Sequence, residues 1–409
     1  MRHGQRGASR KGRLHVDIGS EPESEAGDGN AALSGGRRSA RQTGAEGPFL
    51  PRCPPLLAAS GAGRSAGRCR PGPLEGGRGE GFRAAGSNSA CASAIAVRLQ
   101  AAQQLATVSY SQLVRGRAGL AYLWFAARGT QREQERSGLT GGFYLQLALR
   151  QGQPADLLEK AYLALWLLTR FGGVGTRTRR GAGAVQVVQQ DSVLIDDLPL
   201  VIRARTPKEL ADELASGLRK VRTVLGEGYS TVVRKPSEFD LIHPETCRIW
   251  VLEKPYGRWE EALDEFGRCF SGFRRRRNPD YRELRAAVHG NRDSMRPIER
   301  AAFGLSMPLY FQSTKQQATL RPTNRDRRMS PLIVRPVKLA SGQYAIVLVW
   351  FRSRFLPEGE ALILHAGARS VRGPLPDDGL ISTFIGGSDP INGSSLRDCG
   401  LQAREVRYG

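Results

Sequence analysis

Between Phe171 and Gly183 the chain reads Phe-Gly-Gly-Val-Gly-Thr-Arg-Thr-Arg-Arg-Gly-Ala-Gly. Glycines at 172, 173, 175, 181 and 183 frame arginines at 177, 179 and 180. Glycine lacks a Cβ and tolerates positive φ, so backbone N–H groups in such a stretch can approach a ligand closely. Arginine presents a planar fork that grips phosphate through paired hydrogen bonds. Gly172, Gly173, Gly175, Gly181 and Gly183 therefore make room, and Arg177, Arg179 and Arg180 supply charge from exposed side chains. The chemistry this fits is the holding of a polyanionic backbone. The nucleotide loops fit poorly: the last glycine of the dinucleotide fingerprint is missing, and no Gly-Lys-Ser/Thr follows.

Two further basic clusters extend the theme. Arg274, Arg275, Arg276 and Arg277 are followed by Arg282, Arg285, Arg292, Arg296 and Arg300. Four successive arginines point around most of a helix, which suits a flexible surface that tracks phosphates; a solvated charge run is the alternative. Arg321, Arg325, Arg327 and Arg328 lead into Ser330-Pro331-Leu332, at one edge of a sheet. Over all 409 residues, 61 basic against 39 acidic side chains give a net charge of +22. Nucleic acid is the first partner this implies and an anionic membrane surface the second. No run reaches the apolar length of a membrane span, and the N-terminus lacks a signal peptide's apolar core.

Catalytic groups are sparse. RNA cleavage without metal needs a general base titrating near neutrality, usually histidine. Of the five histidines, His3 and His15 lie in an arm of odd composition, His243 precedes a proline, and His365 follows an apolar run. His289 alone sits among arginines. The carboxylate pair Asp196-Asp197 points apart on a strand and reads as a turn, not a metal site. Six cysteines without a C-x-x-C pair indicate neither zinc nor a disulfide framework, which makes a reducing cytoplasm the default. No cofactor and no metal are expected.

Residues 1–94 are rich in Gly, Ala, Arg, Ser and Pro, with no sustained apolar period. Such composition buries too little apolar surface to offset the entropy of ordering. The segment reads as a disordered basic arm or as a GC-rich gene start translated out of frame, with the second favoured. Residues 95–205 form a first globular unit. Gly119–Ala126 and Phe143–Leu149 read as strands, Pro154–Arg170 as a helix with Leu158, Ala161, Leu165 and Leu168 at helical spacing, and Ala184–Val188 as a strand. That β-β-α-β order is the latter part of a ferredoxin-like β-α-β-β-α-β unit. Thr206-Pro207-Lys208-Glu209 is a capping box that opens a helical connector over 206–238. A second ferredoxin-like unit follows over 239–370. It has a strand at Thr246–Leu252, a helix with Trp259, Leu263, Phe266 and Phe270 on one face, and a hairpin of Leu332–Leu339 with Tyr344–Phe351. A basic insertion enlarges it between 273 and 330, and residues 371–409 read as a turn-rich, peripheral tail.

Leu165-Trp-Leu-Leu168 running into the glycine loop resembles the signature of the RAMP superfamily of CRISPR proteins. Ala301-Ala-Phe-Gly-Leu305, Arg327-Arg-Met-Ser-Pro-Leu332 and Phe355-Leu-Pro357 narrow the resemblance to the first RAMP subunits of Cmr, the type III-B RNA-targeting effector. The similarity covers roughly residues 110–360. It implies an α+β fold of two tandem ferredoxin-like domains and an RNA-facing role for the glycine loop and Arg327-Arg328. It also implies a non-catalytic subunit that helps hold the 3′ region of the guide RNA and the paired target RNA in antiviral defence. Guide RNA, target RNA and other Cmr subunits would be its partners. The alternative class is a RAMP-type endoribonuclease that matures guide RNA, with His289 as base. Members of the family open with a strand and then an Ile-Arg-Gly-x-Leu-Arg-Trp helix, and the first domain here reads as lacking both.

Overall fold

The computed structural model describes residues 12–18, 93–101, 105–130, 133–226, 237, 239–275, 277–290 and 292–409, all within one unit. The rest of the 1–94 arm lies outside the described residues, as does Arg276.

The first sheet contains β1 (Gly12–Ile18), β2 (Ile95–Ala101), β4 (Ser137–Leu149) and β5 (Val185–Gln190) in the order β2-β4-β1-β5, and β3 (Ala106–Ser109) also pairs with β4. All pairings are antiparallel. Read as strands of one unit this is the 2-3-1-4 order of a ferredoxin-like sheet. The strand expected to be missing is therefore present: Gly12–Ile18 runs between β4 and β5, with Val16 opposite Phe143 and Val187. Its Leu14, Val16 and Ile18 alternate in sequence, but seven residues inside a low-complexity stretch give a weak signal.

Helix α1 (Tyr110–Val114) is followed by α2 (Ala118–Leu123) and a 3₁₀ turn at Phe125–Ala127, which occupy the segment read as a strand at Gly119–Ala126. Apolar residues on a six-residue helix cannot be told from a strand by period alone. What decides is a contact distant in sequence. Asp264 accepts hydrogen bonds from Gly119 N at 2.8 Å and Leu120 N at 3.1 Å, capping the first turn of α2. Gly119 and Gly267 also let the two helices meet backbone to backbone.

Helix α3 (Asp156–Phe171) packs against the first sheet through Leu157, Tyr162, Leu163 and Trp166. This stripe lies beside the predicted one, and Leu168 is exposed. The helix is apolar nearly all round, so its period did not fix its face. Helix α4 (Pro207–Leu225) starts at the predicted cap: Thr206 Oγ1 accepts from Glu209 N at 3.2 Å, while Glu209 accepts from Arg205 N at 2.8 Å, one residue before the N-cap N–H that a full capping box would use.

The second sheet comprises β6 (Cys247–Leu252), β9 (Leu332–Lys338), β10 (Tyr344–Phe351) and β13 (Ala403–Glu405), ordered β13-β6-β10-β9. Helix α5 (Trp259–Arg274) follows β6, and α7 (Gly379–Gly386) precedes β13. This is a complete β-α-β-β-α-β unit in 4-1-3-2 order. Leu263, Phe266 and Phe270 of α5 are buried against it, as the spacing predicts. The tail is not peripheral. Its α7 buries Leu380, Ile381, Phe384 and Ile385 in the same core, and Leu396 and Leu401 join them. Cys399 forms a disulfide with Cys269 of α5 at a Cα–Cα distance of 6.1 Å, against the expectation of unpaired thiols. Cysteines 130 residues apart carry no spacing signal.

The insertion supplies α6 (Asn278–His289), β7 (Met307–Phe311) and β8 (Gln316–Pro322), and these two strands join β11 (Leu362–Ala366) and β12 (Arg369–Gly373), from beyond the insertion, in a third sheet ordered β12-β11-β8-β7. No described helix is long and apolar enough to cross a membrane.

Candidate nucleic-acid interface

The glycine loop joins α3 to β5 and is clamped on three sides. Trp124 Nε1 donates to Arg180 O at 2.8 Å, and Val334 N donates to Arg179 O at 3.3 Å. The second contact covers the outer edge of β9, which would otherwise present unpaired backbone groups. The loop also closes on itself, with Val174 N donating to Gly183 O at 2.8 Å. Its glycines divide into two kinds. At Gly172, Gly173, Gly181 and Gly183 the space of a Cβ is filled by Leu168, Thr178, Leu263 and the Val174 carbonyl. Gly175, at φ +94°, has nothing within 4 Å of that position. Open backbone for a ligand is thus offered at Gly175.

The arginines divide as well. Arg177 lies with its guanidinium 4.9 Å from the Phe125 ring. Burial, and then the nearby charges of Arg327 and Arg136, lower its pKa. Arg327 and Arg136 are exposed. Arg179, read as exposed, instead donates to Ser330 O at 2.5 Å and pairs with Asp240 at 2.6 Å. Arg328 reaches the same carboxylate at 3.4 Å and donates to Phe355 O at 2.7 Å. Arg180, also read as exposed, packs over Phe270 at 4.8 Å and donates to Phe303 O at 3.2 Å. Burial, and then Arg274, bring its pKa down to about 9, still charged at neutral pH. Arg274 donates to Tyr122 OH at 3.0 Å, and exposed Arg275 lies 6.0 Å from the Tyr122 ring. Arg277 turns away: its side chain is 4% exposed and pairs with buried Asp389 at 3.4 Å.

Three clusters separated by some fifty to one hundred residues therefore meet around one loop, with Arg327, Arg275 and Arg136 exposed and Arg177 half-buried beside them. Sequence reading missed Arg136, Asp240 and Phe125, none of which lies in a recognisable pattern. It also missed Arg335 of β9, which is buried and donates to the carbonyls of Thr169, Gly172 and Val185. Burial lowers the Arg335 pKa to about 9. His289 contacts Thr314 and Phe311 of the insertion and no arginine of this face. Among the described residues no group of three His, Cys, Asp or Glu side chains is placed to hold a metal ion.

Asp240 links Arg179, Arg328 and Ser353, whose hydroxyl donates to it at 2.5 Å. Burial alone would raise its carboxyl pKa, but the Ser353 hydrogen bond and the two guanidinium groups hold it below the ordinary aspartate value. A depressed folded pKa gives stability that is present above the unfolded value of about 3.9 and lost as pH falls through the folded one. Asp240→Asn is therefore expected to be less stable than the parent by about 2 kcal/mol at pH 7. Urea titrations at stepped pH should show the gap closing below about pH 3.9. A gap independent of pH would refute the assignment.

Tandem ferredoxin-like units with an arginine-bearing glycine loop after the helix preceding the fourth strand are the arrangement that the RAMP resemblance implies. The sequence comparisons carry this further. The CRISPR system Cmr subunit Cmr1-1 of Pyrococcus furiosus is 26% identical over 203 residues, spanning 49% of this chain and 51% of that protein. The motif-based recognition of a Cmr RAMP subunit is borne out over that span, about half the length of the curated relative. No protein-family model matches the chain. Among solved structures, Cmr1 of Pyrococcus furiosus in its apo form matches with a TM-score of 0.49 at 18% identity, covering 79% of this chain and 80% of that one. A type III-B Cmr-beta complex bound to cognate target RNA and AMPPnP matches with a TM-score of 0.38 at 12% identity, covering 68% of this chain and 79% of that one.

Proposed function

We propose that this chain is a non-catalytic, RNA-holding subunit of a type III-B CRISPR (Cmr) effector. It holds the 3′ region of the guide RNA and the paired target RNA beside other Cmr subunits, in the cytoplasm. The observation that carries the reading is the convergence of the three arginine clusters on the glycine loop, where exposed Arg327, Arg275 and Arg136 and half-buried Arg177 form a basic face. Guanidinium groups in the same loop region as open backbone at Gly175 suit phosphate oxygens. The similarity to Cmr1-1 supports the assembly this face would serve.

The test is RNA binding against salt. Arg136, Arg177 and Arg327 are changed together to glutamine, and binding of single-stranded RNA is followed by fluorescence anisotropy. The slope of log K against log salt is expected to flatten by about 0.7 per contact, roughly 2 in all. Affinity should fall equally for unrelated sequences. An unchanged slope in a folded variant would sink the reading. Site-specific RNA cleavage that disappears in His289→Ala would replace it with the endoribonuclease.

A further inference from the structure

Most buried arginines of this molecule have an evident partner. Arg170 faces Glu213, Arg179 and Arg328 share Asp240, Arg277 meets Asp389, and Arg300 meets Asp280. Arg335 donates to three carbonyls. The Nε–H of each of Arg170, Arg277 and Arg335 lacks a partner among the described residues, but Arg170 and Arg277 have a carboxylate beside them and Arg335 has three acceptors. Arg180 and Arg274 differ. Both guanidinium groups stack on one ring, 4.8 and 5.3 Å from the centroid of Phe270. Among the described residues neither pairs with a carboxylate, and each donates to one acceptor, Phe303 O for Arg180 and Tyr122 OH for Arg274. Arg180 Nη1 and Arg274 Nε are buried N–H groups with no hydrogen-bond partner among the described residues. Arg300, which adds a third positive charge nearby through Arg274 O, is already committed to Asp280.

Two like charges on one ring, with two buried donors unmatched, form an unbalanced arrangement. Buried charges are ordinarily paired, and an orphaned buried donor carries its full desolvation penalty. One anion between the forks would neutralise both groups and supply the acceptors. Phosphate suits two guanidinium forks, which grip its oxygens in pairs. Arg180 and Arg274 are each half-buried as whole residues. We infer that Arg180 and Arg274, backed by Phe270 and Tyr122, form a discrete phosphate-binding site at the inner end of the basic face. This site goes beyond the general basic face: it binds one phosphate group whether or not that face tracks RNA.

The experiment is thermal unfolding of the full chain in inorganic phosphate, against chloride at matched ionic strength. Tm is expected to rise with the logarithm of phosphate concentration, on the order of 2 °C per tenfold above saturation. Arg274→Gln should abolish the rise and Arg404→Gln, an exposed arginine of β13 outside the basic face, should preserve it. Uridine monophosphate and the dinucleotide UpU, which has no terminal phosphate, identify the source. Stabilisation by both supports a backbone phosphodiester, and stabilisation by the monophosphate alone supports a terminal phosphate. A wild-type Tm that responds to phosphate no more than to chloride overturns the site, as does an equal response in Arg274→Gln. A response to inorganic phosphate with neither nucleotide ligand would mark an adventitious ion only and would also overturn it. Loss of the RNA salt slope in the triple variant with the phosphate response intact would separate this site from the face.

Discussion

Arg335→Met is expected to remove about 4 kcal/mol or more of stability, the largest loss expected from any single arginine of the molecule. The guanidinium is buried within the fold and donates to the carbonyls of Thr169, Gly172 and Val185. Methionine matches much of its length and none of its hydrogen bonding. Each carbonyl that loses its donor away from water carries about 1–3 kcal/mol. Thr169 and Gly172 also lie at the C-terminal end of α3, where a cation offsets the helix dipole. Because Arg335 stands on β9 and its acceptors flank the glycine loop, the loss falls on the seam between the two ferredoxin-like units. Arg335→Lys should recover only a minor part, since one ammonium cannot span the acceptors that the fork reaches. Guanidinium chloride titration measures both variants. A loss below about 1 kcal/mol for the methionine variant would show that these carbonyls find other donors.

What the sequence made legible follows the range of the interactions involved. Local signals were readable: the Thr206 cap, the α5 face of Leu263, Phe266 and Phe270, and the β9–β10 hairpin all arise within a few residues. Long-range pairings were not. Helix α2 depends on a cap from Asp264, Cys269 meets Cys399, and β1 finds its place between β4 and β5. The basic clusters were legible as charge, but the sequence did not say which guanidinium groups the fold uses for itself. Arg179, Arg180 and Arg277 stand in runs that look uniform, yet Asp240, Phe303 O and Asp389 claim them individually. The three partners lie 61, 123 and 112 residues from the arginines they meet, so no local pattern marks them.

The glycines pose the same question, and it can be decided by a pair of substitutions. Gly183 has φ +68°, and a Cβ there would lie 1.8 Å from the Val174 carbonyl oxygen. That oxygen belongs to the residue whose N–H donates to Gly183 O, so any displacement also breaks the loop's own closure. Gly183→Ala is therefore expected to lower stability by about 3–4 kcal/mol through the clash together with the positive φ. Gly175 has φ +94° but open space around it. Gly175→Ala should lower stability by only about 1 kcal/mol, the backbone contribution alone. Binding should separate the pair in the opposite sense. Among variants kept folded at low temperature, Gly175→Ala places a methyl group where a phosphate would approach the open backbone, and RNA affinity should fall. Denaturant titration and anisotropy on the same two proteins give the answer. Equal stability losses at 175 and 183 would mean the loop is not closed as the structure has it. Unchanged RNA affinity in Gly175→Ala would move the backbone contact elsewhere on the arginine face.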